Sequence, residues 1–174
     1  MAEIGTKEAL AASMKELMAK KNFARISISD ICEGCGLNRK SFYYHFKDKY
    51  DLMNWIFYTD FITLSTETEF ETGWELFTAA CYHLYEERSF YYAALQTEGQ
   101  NSFRDYFKES VRDIVISLFD LEFGDETDRM MADLISAVLL SSLDQWLGAD
   151  NPVEPDQFLK RIREIMLKVS EAFK

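Results

Sequence analysis

The stretch Ser27 to Lys49, SISDICEGCGLNRKSFYYHFKDK, leaves its part of the chain few ways to fold. Ser27 and Asp30 have the form of a capping box, which predicts a helix beginning at Ile28. Ile28, Ile31 and Cys32 give that helix one apolar face, and Gly36 supplies a residue able to turn left-handed at its end. Asn38 then caps a second short helix, Arg39 to Phe46. Short helices joined by a glycine-containing turn form the helix-turn-helix unit, whose second helix enters the major groove of DNA. On that helix Phe42 and Phe46 face the unit's own core. Arg39, Lys40, Ser41, Tyr43, Tyr44 and His45 occupy the other side, as hydrogen-bonding groups for phosphates and base edges. Ser27 and Lys49, at two flanking helix starts, are expected to anchor phosphates.

The pattern Ser27-Ile28-x-Asp30-Ile31-Cys32-x-x-Cys35-Gly36-Leu37-Asn38-x-x-Ser41-Phe42-Tyr43-x-His45-Phe46-x-x-Lys49-x-x-Leu52 resembles the DNA-binding signature of TetR-type bacterial transcriptional regulators. Members of that family commonly carry Ala where Cys32 and Cys35 stand, and a small residue where Lys40 stands. The cysteines keep those packed positions small, whereas Lys40 puts a long cation where relatives expose backbone. Within the family, FYYHFKDKYDLMNWIF is most similar to regulators of dihydroxyacetone-kinase operons. The motif covers about the first third of the chain; the rest resembles the family in length and helical pattern.

A formal charge of −11 opposes DNA binding only until it is divided. Residues 1–49 hold nine basic and six acidic side chains, a balance of +3, and the remainder holds ten and 24, a balance of −14. Phosphate contact needs local cations rather than a basic whole. With few glycines and prolines and long three-to-four apolar spacings, the chain is predicted to be all-α. A three-helix helix-turn-helix head, residues 1–47, is followed by a helical-bundle body, 48–174, for effector binding and dimerisation.

The predicted helices run Lys7–Lys21 (Thr6 as cap), the two reading helices, and one from Asp48 to about Phe61. Ser65–Thr72 reads as a linker; next come Gly73–Glu86, Ser89–Leu95, a break at Gly99, and Ser102–Leu121. Glu126–Leu147 and Pro155–Phe173 complete the set. Inward stripes are expected at Leu10, Met14, Leu17 and Met18 of the first helix and at Phe103, Phe107, Val111, Ile114 and Leu118 of the Ser102 helix. On Glu126–Leu147 the stripe is Met131, Leu134, Ile135, Val138, Leu139 and Trp146. On the last helix it is Phe158, Ile162, Ile165, Met166 and Val169. A single body has limited core to bury both stripes. Met131, Ile135, Val138, Leu139, Trp146, Ile162, Ile165, Met166 and Val169 are therefore expected to build a homodimer's four-helix interface. Such a dimer would bring two reading helices to a pseudo-palindromic operator on double-stranded DNA.

The body is rich in aromatics, and bodies of TetR-type proteins commonly hold a small effector, so the resemblance implies a pocket. Trp55, Tyr58, Phe77, Tyr82, His83, Tyr85, Phe103 and Phe107 are its candidate walls, coupled to the head through the helix beginning at Asp48. Ordinary core packing is the better account of any one ring taken alone, and His83 can be a pocket, core or solvated residue. Cys32-x-x-Cys35 ends a helix and has no paired ligand spacing near it, so it reads as small packing residues rather than a metal or redox site.

No phosphate loop, G-x-S-x-G or H-E-x-x-H occurs, so no enzyme and no cofactor is expected. Without a run of 18 apolar residues or a signal-peptide h-region, the chain is expected to be cytoplasmic, away from membranes, with reduced thiols. The competing class is a helical adaptor that works through protein contacts of its acidic body.

Overall fold

In a computed structural model, the described residues are 5–67, 70–97, 103–121 and 125–172. Among them are nine α-helices, one 3-10 turn and no strand, as an all-α chain requires. The helices are α1 Thr6–Met18, α2 Ile28–Gly34, α3 Arg39–His45, α4 Lys49–Glu67, α5 Gly73–Glu86, α6 Arg88–Leu95, α7 Phe103–Phe119, α8 Glu126–Leu147 and α9 Pro155–Ala172. Contacts divide the chain into two compact units, Met1–Glu67 with Ser89–Ser110, and Thr68–Arg88 with Val111–Lys174.

In the first unit α1 braces the two reading helices. Leu10, Met14 and Met18 are buried, while Leu17 is only half-buried. The buried Ser13 hydroxyl donates to the Ile31 carbonyl at 2.7 Å, joining α1 to α2. The helices approach closely because residue 34 is glycine: a Cβ there would collide with the Ser13 hydroxyl. Helix α2 starts in the predicted capping box, Asp30 N–H donating to Ser27 Oγ and Ser27 N–H to Asp30 Oδ2. It closes on Gly36 at φ +69°, with Leu37 N–H bonded back to the Cys32 carbonyl and Gly36 N–H to that of Glu33.

Helix α4 is held by chemistry from distant elements. Asp60 Oδ2 accepts the Lys15 ammonium of α1 at 3.0 Å and the hydroxyl of the fully buried Tyr91 of α6 at 2.7 Å. One turn earlier, Phe57 sits edge-on to Tyr91, Phe103, Tyr106 and Phe107, with ring centroids 5.2–6.1 Å away. The second unit has its own stack, in which Trp146 lies between Tyr85 at 5.6 Å and Phe158 at 4.2 Å. The Trp146 indole N–H is satisfied by the Val153 carbonyl.

Several boundaries differ from the sequence reading. Gly5, not Thr6, precedes α1 and offers no side-chain cap; α1 stops at Met18, where Lys20 and Lys21 both donate to the Leu17 carbonyl. Helix α4 runs on through the first three residues of the expected Ser65–Thr72 linker. Thr72 and Glu75 then form a second capping box at α5. Gly99, Ser102 and Phe173 lie outside the described residues, as does the side chain of Leu118. The buried face of α8 is Ala132, Ser136, Leu139, Leu140, Leu143, Trp146 and Leu147, while Leu134 and Val138, from the stripe read as exceeding one body's core, are 62% and 65% exposed in the single chain.

Two predictions test these joints. Gly34→Ala should destabilise the chain by roughly 1–3 kcal/mol by forcing a methyl into Ser13. Ser13→Ala placed on top should recover part of that loss instead of adding to it, as a double-mutant cycle by denaturant unfolding would read. The Asp30 carboxyl is held down to about 2, chiefly by the Ser27 backbone N–H and then by Lys21. Its contribution to stability is therefore complete above its ordinary value of 3.8 and lost as pH falls through about 2. Asp30→Asn should lower the urea midpoint at neutral pH, with the difference from wild type vanishing by about pH 2.

Candidate nucleic-acid interface

Helix α3 presents two faces of opposite chemistry. Asn38 Oδ1 accepts the Ser41 N–H at 2.9 Å and starts the helix after the Gly36 turn. Phe42 is fully buried and packs on Phe46 at 5.8 Å, which fixes the rotation of the helix. That rotation turns Arg39, Lys40, Tyr43 and Tyr44 outward, with Tyr44 84% exposed. Arg39 donates to the Tyr43 hydroxyl at 3.4 Å and lies 5.8 Å over its ring, so cation and phenol stand together at the start of the surface. His45 is half-buried against the edge of Tyr44 at 4.8 Å. The Ser41 hydroxyl leans back to Asn38 Oδ1 at 3.3 Å, so it serves the cap as well as the surface.

The two expected phosphate anchors differ. Ser27 is exposed, but its hydroxyl and N–H are both engaged with Asp30. What the start of α2 still aims outward is the pair of N–H groups on Ile28 and Ser29, which have no partner within the helix. Lys49 is placed against expectation. Its ammonium turns inward, donating to the carbonyls of Phe23 at 2.8 Å and Ile26 at 2.9 Å, and sits 4.3 Å over the Phe23 ring. Burial lowers its pKa. Asp48 Oδ1 meanwhile caps α4 through the N–H groups of Tyr50 and Asp51, placing a carboxylate where a phosphate was expected. A lysine one residue into a helix gives no hint that loop carbonyls 23–26 residues away will take its proton donors.

The expected pocket walls divide between the two units. In the first, Phe103 and Phe107 are buried against Phe57, and Trp55 packs on Phe46 at 5.6 Å under the Lys7 ammonium at 5.4 Å. Tyr58 is exposed. In the second, Phe77 packs on Trp74 and His83 is half-buried. Tyr82 donates to Asp156 at 2.6 Å and Tyr85 to Glu154 at 3.0 Å; these hydrogen-bonded carboxylates raise both phenols' pKa. Phe77, Phe103 and Phe107 pack on neighbouring rings, and the Tyr82 and Tyr85 hydroxyls engage Asp156 in the first turn of α9 and Glu154 just before it.

A different surface stands out in the second unit. Met131, Ile135, Val138, Leu139, Ile162, Ile165, Met166 and Val169 line one apolar groove of about 440 Å³ along α8 and α9, together with Leu134 and Phe119. Trp146, expected among them, instead stacks inside its own chain. Cys32 is buried, and burial raises its thiol pKa; the Cys35 thiol donates to the Ile31 carbonyl at 3.3 Å. Among the described residues no cluster has the makings of a metal site, and no helix is long and apolar enough to cross a membrane.

Comparison with known proteins agrees with this geometry at both ends of the chain. Residues 9–55 match the family model "Bacterial regulatory proteins, tetR family", and residues 72–168 match "Transcriptional regulator C-terminal region". A relative from Lactococcus lactis subsp. lactis (strain IL1403), the HTH-type dhaKLM operon transcriptional activator DhaS, is 29% identical over 120 residues. That match takes in 67% of this chain and 63% of the relative, so just under two thirds of the relative's length is spanned. The solved structure of a dihydroxyacetone kinase operon activator DhaS superposes with a TM-score of 0.74 at 20% identity, covering 95% of this chain and 96% of that one. NalD, the secondary repressor of the MexAB-OprM multidrug efflux pump in Pseudomonas aeruginosa, gives 0.69 at 19% identity over 94% of each chain. With both of its segments matched, the second over more than half its length, the chain belongs to the TetR family of bacterial transcriptional regulators.

Proposed function

We propose that this regulator binds a pseudo-palindromic operator as a homodimer and is controlled by a small molecule, in a head of residues 1–47 and a body of 48–174. The observation that carries the DNA-reading half is the outward face of α3, where Arg39, Lys40, Tyr43 and Tyr44 stand free of the core that Phe42 anchors. Arg39 and Lys40 supply donors for base edges and phosphates; the two phenols and His45 add phosphate contacts. Ser41 and the start of α2 at Ser27 set the register. The Lys49 ammonium acts indirectly, by holding the 23–26 carbonyls that precede α2.

The apolar groove on α8 and α9 supports the dimer. Val138 and Ile165 are 65% and 56% exposed in a single chain, a cost that a two-fold copy would remove by packing helix against helix. An effector that prefers one arrangement of the reading helices would then set the fraction of competent dimer. The adaptor alternative draws only on the acidic balance of residues 50–174.

Three outcomes test this reading. Lys40→Ala with Tyr43→Ala should weaken operator binding by roughly 1–3 kcal/mol per lost base contact while leaving thermal stability unchanged, as anisotropy and circular dichroism would read. Raising salt from about 50 to 200 mM should weaken binding steeply, since phosphate contacts release counterions; an adaptor would show no such dependence. Val138→Glu with Ile165→Glu should reduce the molar mass by light scattering from about twice 20.3 kDa to a single chain, and operator binding should fall with it.

A further inference from the structure

A second cavity, of about 480 Å³, opens in the first unit. Its walls come from three places distant in sequence: Lys21 and Phe23 after α1, Tyr50 in the first turn of α4, and Tyr92 with Gln96 at the end of α6. The volume lies within the roughly 300–1,000 Å³ usual for small-molecule sites.

Three aromatic side chains face the space. Phe23 and Tyr50 meet edge to face at 5.1 Å and 72°; Phe23 is itself 4% exposed, so the ring surface open to a guest is that of Tyr92, 38% exposed, and of the half-buried Tyr50, with Phe23 behind them. Phe23 is held in place, because the Lys49 ammonium rests on its ring and takes its carbonyl. This wall is formed before any ligand arrives.

The charge of the lining is unusual for this chain. With 30 acidic and 19 basic side chains overall, the chain places one lysine and no carboxylate among the described residues that line the cleft. Lys21 makes an ion pair with Asp30 at 3.0 Å, using one of an ammonium's three protons. Asp30 lies outside the lining and is committed to the α2 capping box.

We propose that the cleft binds a small planar aromatic carboxylate, its ring among Phe23, Tyr50 and Tyr92 and its carboxylate on Lys21. The lining that recognises the acid, residues 21–23, leads within four residues to Ser27, the cap of the first reading helix. An occupied cleft therefore biases the pose of that helix, and ligand and DNA affinities change each other reciprocally. Only this coupling rests on the DNA-binding reading; ligand binding is measured without DNA.

The test is calorimetric titration of the full chain with benzoate, benzamide and cyclohexanecarboxylate. Benzoate should bind with Kd below about 1 mM, and the other two at least about tenfold more weakly, the worth of one charge-assisted contact or of the stacked ring. Lys21→Met should erase the preference for benzoate over benzamide, and Lys21→Arg should retain it. Tyr92→Ala should weaken both ligands. Thermal melting shows whether each variant is folded, and for one that is not, benzoate-induced shifts of the Tyr50 and Tyr92 ring resonances in wild type take its place. No benzoate binding at about ten times that concentration, or a benzoate preference untouched by Lys21→Met, overturns the site. Operator affinity unmoved by bound benzoate overturns the coupling. A chain that takes benzoate but binds no DNA refutes the DNA reading and leaves the site standing.

Discussion

A single carboxylate joins what the rest of the first unit is built around. Asp60 receives the Lys15 ammonium from α1 and the buried Tyr91 hydroxyl from α6, and so ties the brace of the reading helices to two elements far along the chain. A buried phenol must find an acceptor, and a carboxylate has lone pairs for several donors. Removing the acid would leave the Tyr91 hydroxyl to find another acceptor in a buried setting. The Phe57 ring cluster adds apolar burial beside this joint, but ring packing tolerates sliding. The hydrogen bonds supply the directionality that sets register between helices.

The same economy appears at the reading helices. Nothing in α3 reaches outward until Phe42 and Phe46 have been driven inward, and the Gly36 turn determines the angle at which α3 leaves α2. Lys49 contributes from below, its ammonium donating to the Phe23 and Ile26 carbonyls at the 3-10 turn, the first of which also accepts the Ile26 N–H. A basic residue at the start of α4 is thus a structural tie, while the cations of α3 stay exposed.

Much of this was legible because it is local. The capping box at Ser27, the left-handed Gly36, the Asn38 cap and the bounds of α5 and α8 follow from residues within four positions of one another. What escaped is non-local. Lys49 finds partners 23–26 residues back, and Asp60 finds Tyr91 31 residues on, neither of which leaves a periodic trace. Which face of α8 the single chain buries is a further non-local matter. Its apolar residues cover two faces, and periodicity cannot say which is buried in one chain: Leu143 and Trp146 are, whereas Leu134 and Val138 are not.

The account stands most directly on whether two α3 helices read DNA together. Selection of the intact protein against a random duplex library, followed by sequencing of the bound fraction, addresses this in one measurement. The account predicts an enriched motif of two inverted half-sites with centres about one helical turn, roughly 34–36 Å, or a multiple of it apart. A bound pool with no enriched sequence, or with a single unpaired half-site, would contradict it.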